Sequence, residues 1–147
     1  MKFVYKLEHK RIAEINDDTG EKIPCTKLLG FFPSEEKCKE IIPLYLDQPG
    51  FRDYPDDFII EKIEADVDDY NGTAGEFNAS VFYLSHEYYD GVYDHISHPG
   101  YYSTQKLAEQ AQQRYQLEPE FIAYPDGFCI AEYKIGKREW KEGFFAF

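Results

Sequence analysis

Four histidines, three cysteines and one dense run of carboxylates are the side chains in this sequence with the most chemistry to offer. His95 and His98 stand near Asp90 and Asp94, and imidazole with carboxylate is a metal-binding combination. The turn-forming "HPG" at His98–Gly100 and the lack of a fourth ligand argue against a metal there. His9 and His86 recur at the ends of two alternating stretches, in phase with apolar neighbours, and read as partly buried structural imidazoles. Cys25, Cys38 and Cys129 show no metal spacing, and an odd count without close pairing fits free thiols in a reducing compartment. Cys38 on an apolar helical stripe and Cys129 between apolar strand residues both read as core cysteines. The sequence contains no glycine-rich phosphate loop, no G-x-S-x-G elbow and no H-E-x-x-H helix. The expectation is a non-enzyme with no cofactor and no metal.

The carboxylates are more unusual. "DYPDDFIIEKIEADVDDY" (Asp53–Tyr70) holds eight acids and one base between Asp53 and Asp69, a net charge of -7 within a chain total of -12. Crowded like charges repel, so either the stretch is a solvated edge that discourages aggregation or it attracts a cationic partner. Asp53, Asp56, Asp57, Glu64, Asp66, Asp68, Asp69 and Tyr70 are the expected partner-binding residues. The overall charge opposes phosphate neutralisation, so direct binding to nucleic acid is not expected. No stretch approaches a membrane span, and the amino terminus lacks the apolar run of a signal peptide, so the expected location is cytoplasmic. Aromatic residues make up 18% of the chain, and Tyr suits half-buried strands and binding surfaces alike.

The elements that must hold these residues are written twice. "GFFPSEEKCKEII" (Gly30–Ile42) parallels "GYYSTQKLAEQAQ" (Gly100–Gln112), and "PGFRDYPDDFIIEKI" parallels "PEFIAYPDGFCIAEY", at a constant offset of 70. Upstream, "VYKLEH" matches "VFYLSH" at an offset of 77, so the second copy has a connection seven residues shorter. Each copy reads as strand, strand, helix, strand. "NDDTG" and "DG" supply the hairpin turns, and Ser34 and Thr104 stand at helix N-caps. Cys38, Ile41, Ile42 and Tyr45 form one helical stripe, and Ala108, Ala111, Gln112 and Tyr115 form its counterpart. Pro43 is expected to end or kink the first helix.

The expected fold is α+β, two pseudo-symmetric ββαβ repeats forming one compact domain, with helices packed on antiparallel sheet. The first repeat is placed at 1–72, a small polar linker at 73–79 and the second repeat at 80–147. The two halves are expected to cover each other around a pseudo-twofold axis, and Trp140 is expected to pack down on its own half.

"YPDGF" (Tyr124–Phe128) and the W-x-E-G-F pattern of Trp140–Phe144 resemble a family of small bacterial proteins catalogued as a domain of unknown function. The likeness covers most of residues 80–144 and, more weakly, 3–72. It implies a bacterial origin and the duplicated architecture, and it names no activity. Charge points to a basic protein partner. The most concrete version is an immunity-type antidote that neutralises a basic bacterial toxin or nuclease. The other reading is a small-molecule-binding or enzymatic domain with its site in a groove between the repeats, near Tyr88, Tyr89 and Tyr93. Oligomeric state is not readable from the sequence.

Overall fold

Alternating apolar positions and a capped helix recur in each copy, and each copy folds as the sequence predicts. The structure is a computed structural model describing residues 1–67 and 75–144, without the side chains of Ala13, Glu14 and Ile23. The first repeat contains β1 (Phe3–Ile15), β2 (Lys22–Phe32), α1 (Glu35–Leu46) and β3 (Phe58–Glu64). The second contains β4 (Ser80–Tyr89), β5 (Asp94–Tyr102), α2 (Gln105–Tyr115) and β6 (Phe128–Lys134). Each forms a three-stranded antiparallel sheet with its first strand in the middle, β2-β1-β3 and β5-β4-β6.

Local chemistry sets the element ends. Ser34 Oγ accepts from the Lys37 N–H at 3.1 Å, and Thr104 Oγ1 accepts from the Leu107 N–H at 3.1 Å. These bonds satisfy donors that a helix start otherwise leaves open. A short 3₁₀ turn precedes the third strand of each repeat, at Phe51–Asp53 and Pro125–Gly127. Pro43 does not stop α1, which runs through it to Leu46. Proline removes one helical hydrogen bond, but Ile41 and Tyr45 on either side are buried and hold the helix on its sheet.

The chain divides into two compact units whose limits cut across the repeats. One comprises Val4–Lys62 with Gly136–Phe147, and the other comprises Met1–Phe3 with Ile63–Ile135. Each unit therefore holds the helix and most of the sheet of one repeat, plus the segment that follows the third strand of the other. Matching hydrogen bonds anchor these closing segments. Ala65 N–H donates to Lys2 C=O at 3.0 Å, and Ile135 N–H donates to Ala79 C=O at 2.9 Å. One residue later, Asp66 N–H donates to Tyr101 C=O at 3.1 Å and Gly136 N–H to Phe31 C=O at 2.8 Å. The proposed linker also has a structural part: Phe77 is buried and its N–H donates to Met1 C=O at 2.6 Å.

In the first-repeat unit the core gathers Leu7, Leu29, Phe32, Cys38, Ile41, Tyr45 and Phe51, with Phe144 from the closing segment. In the second-repeat unit Leu84 and Tyr102 pack on Ala108 and Ala111. The smaller α2 stripe makes this second core cluster the slighter one.

Candidate functional site

The acidic stretch is divided between the two units. Asp53 and Asp56 are exposed around the 3₁₀ turn, and Asp57 is half-buried with its carbonyl accepting from Lys10 N–H at 2.9 Å. These three belong to the first-repeat unit, whereas Glu64 and Asp66 belong to the other. Glu64 is exposed and pairs with Lys2 at 3.4 Å. Asp68, Asp69 and Tyr70 lie outside the described residues.

Asp66 overturns its assignment as a surface acid. It is 2% exposed, with φ 54°, in the left-handed region. Its Oδ1 accepts from Ser103 N–H at 2.8 Å, and its Oδ2 accepts from Ser103 Oγ at 2.6 Å and Gly75 N–H at 2.9 Å. The equivalent residues in the first-repeat unit are Gly136 and Pro33. Proline has no N–H to offer, so no carboxylate is needed opposite it. Asp66 is a buried clamp for the closing segment.

A different surface carries exposed aromatic and apolar groups. At the β4–β5 hairpin end, Tyr89, Val92, Tyr93 and Ile96 are each between 61% and 69% exposed. The turn beneath them is built by Asp90, whose Oδ1 accepts from Val92 N–H at 2.8 Å and Tyr93 N–H at 2.7 Å. Its Oδ2 lies 2.7 Å from His95 Nε2. The Tyr93 amide, then His95 and the Val92 amide, hold the Asp90 carboxyl down at about 2. His95 stacks on Tyr88 at 4.6 Å, and Tyr88 stacks on Tyr124 at 3.9 Å. The rings brace the hairpin, while Glu87 and Asp94 add exposed carboxylates. The sequence carries a matching signal: no lysine or arginine occurs between Lys62 and Lys106.

The other unit holds the opposite kind of site. Arg11 faces Cys25 across the β1–β2 ladder and His9 faces Lys27, so all four share one face. Lys27 is only 8% exposed. Its Nζ lies 3.1 Å from Cys25 Sγ, 4.0 Å from the Phe144 ring centre and 5.2 Å from that of Trp140. The Arg11 guanidinium lies 5.3 Å from the Tyr54 ring and 5.4 Å from the Phe144 ring. Arg11 Nε is buried without a partner. Among the described residues neither cation has a carboxylate in ion-pair contact. Cation–π contact contributes about 0.5–2 kcal/mol, whereas desolvating an ion costs several. The contacts shown do not balance the burial of Lys27, and Arg11 is half-buried beside it.

The histidines divide into two pairs. His9 and His86 are fully buried, and each donates from Nε2 to a carbonyl, that of Tyr54 at 3.0 Å and of Tyr124 at 2.8 Å. Their Nδ1 atoms are buried without partners. Burial lowers the His9 pKa, and Lys27 and Arg11 add to this against the Tyr54 bond and Asp57. His95 is tied to Asp90, and His98 bonds the Tyr83 hydroxyl. Among the described residues no group of three His, Cys, Asp or Glu side chains is placed to hold a metal ion.

Cys38 is buried, and burial, then Glu35, pushes its thiol up to about 11. Cys129 is exposed, contrary to the core position expected, because it points to the outer face of β6. Trp140 is 49% exposed and belongs to the first-repeat unit, so it does not pack on its own half as expected. Tyr89 and Tyr93 are exposed and Tyr88 is stacked, all at the hairpin end. Cavities of about 200 Å³ beside Pro99 and Tyr101 and about 350 Å³ beside Ser80 and Ser103 open to solvent. Among the described residues no helix is long and apolar enough to cross a membrane. Comparison with family models, with curated proteins and with solved structures gave no match.

Proposed function

We propose that the protein is a non-catalytic binding module whose β4–β5 hairpin end docks a basic protein. One observation carries this reading: four exposed apolar or aromatic side chains stand on a braced turn, within a stretch of chain that has no lysine or arginine between Lys62 and Lys106. Exposed tyrosines supply contact area at low entropy cost, and surrounding carboxylates steer and select a cationic surface. The most concrete form is an immunity-type protein that blocks a basic toxin or nuclease in the bacterial cytoplasm. Three free thiols support a reducing compartment, and the "YPDGF" and W-x-E-G-F likeness supports the bacterial setting. The partner contacts move from the Asp53–Asp69 stretch to the hairpin, because Asp66 is committed to a structural clamp.

Purification of a tagged copy from its own cells tests the reading, run beside Tyr89→Ser/Tyr93→Ser and Asp53→Asn/Asp56→Asn variants. A basic protein should accompany the wild type and the Asp variant and be lost with the Tyr variant. Loss with the Asp variant alone would move the contact back to the acidic stretch. If the only specific companion is acidic or neutral, the charge argument fails.

A further inference from the structure

We infer that the first-repeat unit carries a site for a small phosphate-bearing ligand where Arg11, Cys25 and Lys27 meet Trp140 and Phe144. It is independent of the hairpin. Lys27 and the Nε of Arg11 have been taken from water in a protein with 28 acids and 16 bases, yet among the described residues neither side chain has a carboxylate in ion-pair contact. Carboxylates were plentiful, so a structural need for counter-charge would have been simple to meet. An arrangement that leaves the cations open suits an anion that comes and goes. Arg11 offers a planar fork positioned against the rings of Tyr54 and Phe144, and Lys27 offers a point charge beside it. These are the two elements of phosphate recognition.

The closing segment adds to the positive field. A cavity of about 380 Å³ is lined by Lys137, Arg138, Trp140 and Lys141, together with Glu139 and Glu142. Lys137 pairs with Glu139 at 3.8 Å, while Arg138 lies 5.3 Å from the Tyr45 ring. Trp140 lines this cavity and also contacts Lys27, so its half-exposed ring marks the way in. The second repeat abandons the arrangement. Tyr88, His95 and Ser97 stand where Arg11, Cys25 and Lys27 stand in the first, and a ring stack occupies the place. Shared ancestry therefore does not require the cations. The phosphate could be free or carried as a monoester, and the shared chemistry is a dianionic oxygen cluster.

Trp140 is the only tryptophan, so its fluorescence reads the site directly. Titration with sodium phosphate should give a saturable change that sodium chloride at equal ionic strength does not. Lys27→Met should weaken binding about tenfold or more, the loss of one charge-assisted contact. Phosphate should also slow alkylation of Cys25, resolved from that of exposed Cys129 by peptide mass. Adenosine monophosphate with the same midpoint as phosphate would identify the free ion, and a tighter one would identify a monoester. Adenosine alone must give nothing. Without phosphate, Lys27→Met should melt no lower than wild type, since it removes an unbalanced buried charge. If that variant does not fold, Arg11→Gln in the same titration should show the weakening. No response to phosphate, an equal response to chloride, or variants that titrate like wild type would overturn the site.

Discussion

Replacing Asp66 by Asn separates two accounts of the acidic stretch. If its carboxylates were a solvated patch, removing one would relieve repulsion and stabilise the fold slightly. The structure demands the reverse. Asp66 accepts three hydrogen bonds through two oxygens, two of them from the backbone N–H groups of Ser103 and Gly75. An amide has one acceptor oxygen. In either rotamer its NH₂ faces a backbone N–H, and at least one buried donor loses its partner. Each such orphan costs about 1–3 kcal/mol, and the charge-assisted character of the remaining bonds is lost as well. Asp66→Asn should therefore lose about 2–3 kcal/mol. Asn tolerates the left-handed backbone at φ 54°, so conformational strain does not contribute. Asp66→Gly, which relaxes the backbone further but removes all three bonds, should lose more than Asn. Urea unfolding followed by far-ultraviolet circular dichroism gives the comparison. An Asn variant within about 0.5 kcal/mol of wild type, the range of ordinary surface substitutions, would refute the clamp.

Gly143→Ala should dislodge the closing segment, because a Cβ at φ 83° would collide with the Pro49 carbonyl. A loss above about 2 kcal/mol in the same urea unfolding and an altered Trp140 fluorescence emission of the folded protein are expected. Trp140→Ala should cost about 1–2 kcal/mol, less than the 3–5 of a fully buried ring, because half of the side chain is already in solvent. The lowered His9 pKa means that the unfolded chain takes up its proton first as pH falls. The His9 contribution is thus fully present above 6.5 and is lost below it, toward the folded value. Nuclear magnetic resonance titration of His9 should give a midpoint below 6.5. For Asp90, stability is present above 3.8 and is lost as pH falls toward about 2. Melts of wild type and Asp90→Asn should converge in that interval.

Element order, caps and helix stripes were legible because each is written locally, twice, in residues that obey period and capping rules. Ser34 and Thr104 cap as their types require, and the constant offset of 70 places equivalent residues in equivalent bonds. Which unit a closing segment joins was not legible. The residues after β3 and β6 carry no periodic pattern, and their destinations depend on distant acceptors such as the Tyr101 and Phe31 carbonyls. The same distance hid Asp66: counting charge along the chain cannot see Ser103 arriving from 37 positions away. Pro43 does not end α1, because packing of Ile41 and Tyr45 outweighs one missing hydrogen bond. Lys27 and Arg11 were overlooked for a simpler reason. In an acidic chain a lone cation attracts no notice until its burial is known.

The central claim is that the hairpin end, not the Asp53–Asp69 stretch, meets a cationic partner. Its most direct test is the association of the co-purified basic protein with wild type, with Glu87→Gln/Asp94→Asn and with Tyr89→Ser/Tyr93→Ser, at low and moderate salt. Asp90 is left intact because it builds the turn. The carboxylate variant should associate more slowly at low salt and approach wild type as screening grows, since steering acts through the field. The tyrosine variant should dissociate faster at both salt concentrations, because buried contact area is lost. Rates equal to wild type for both variants under both conditions would contradict the account and leave the hairpin a bystander.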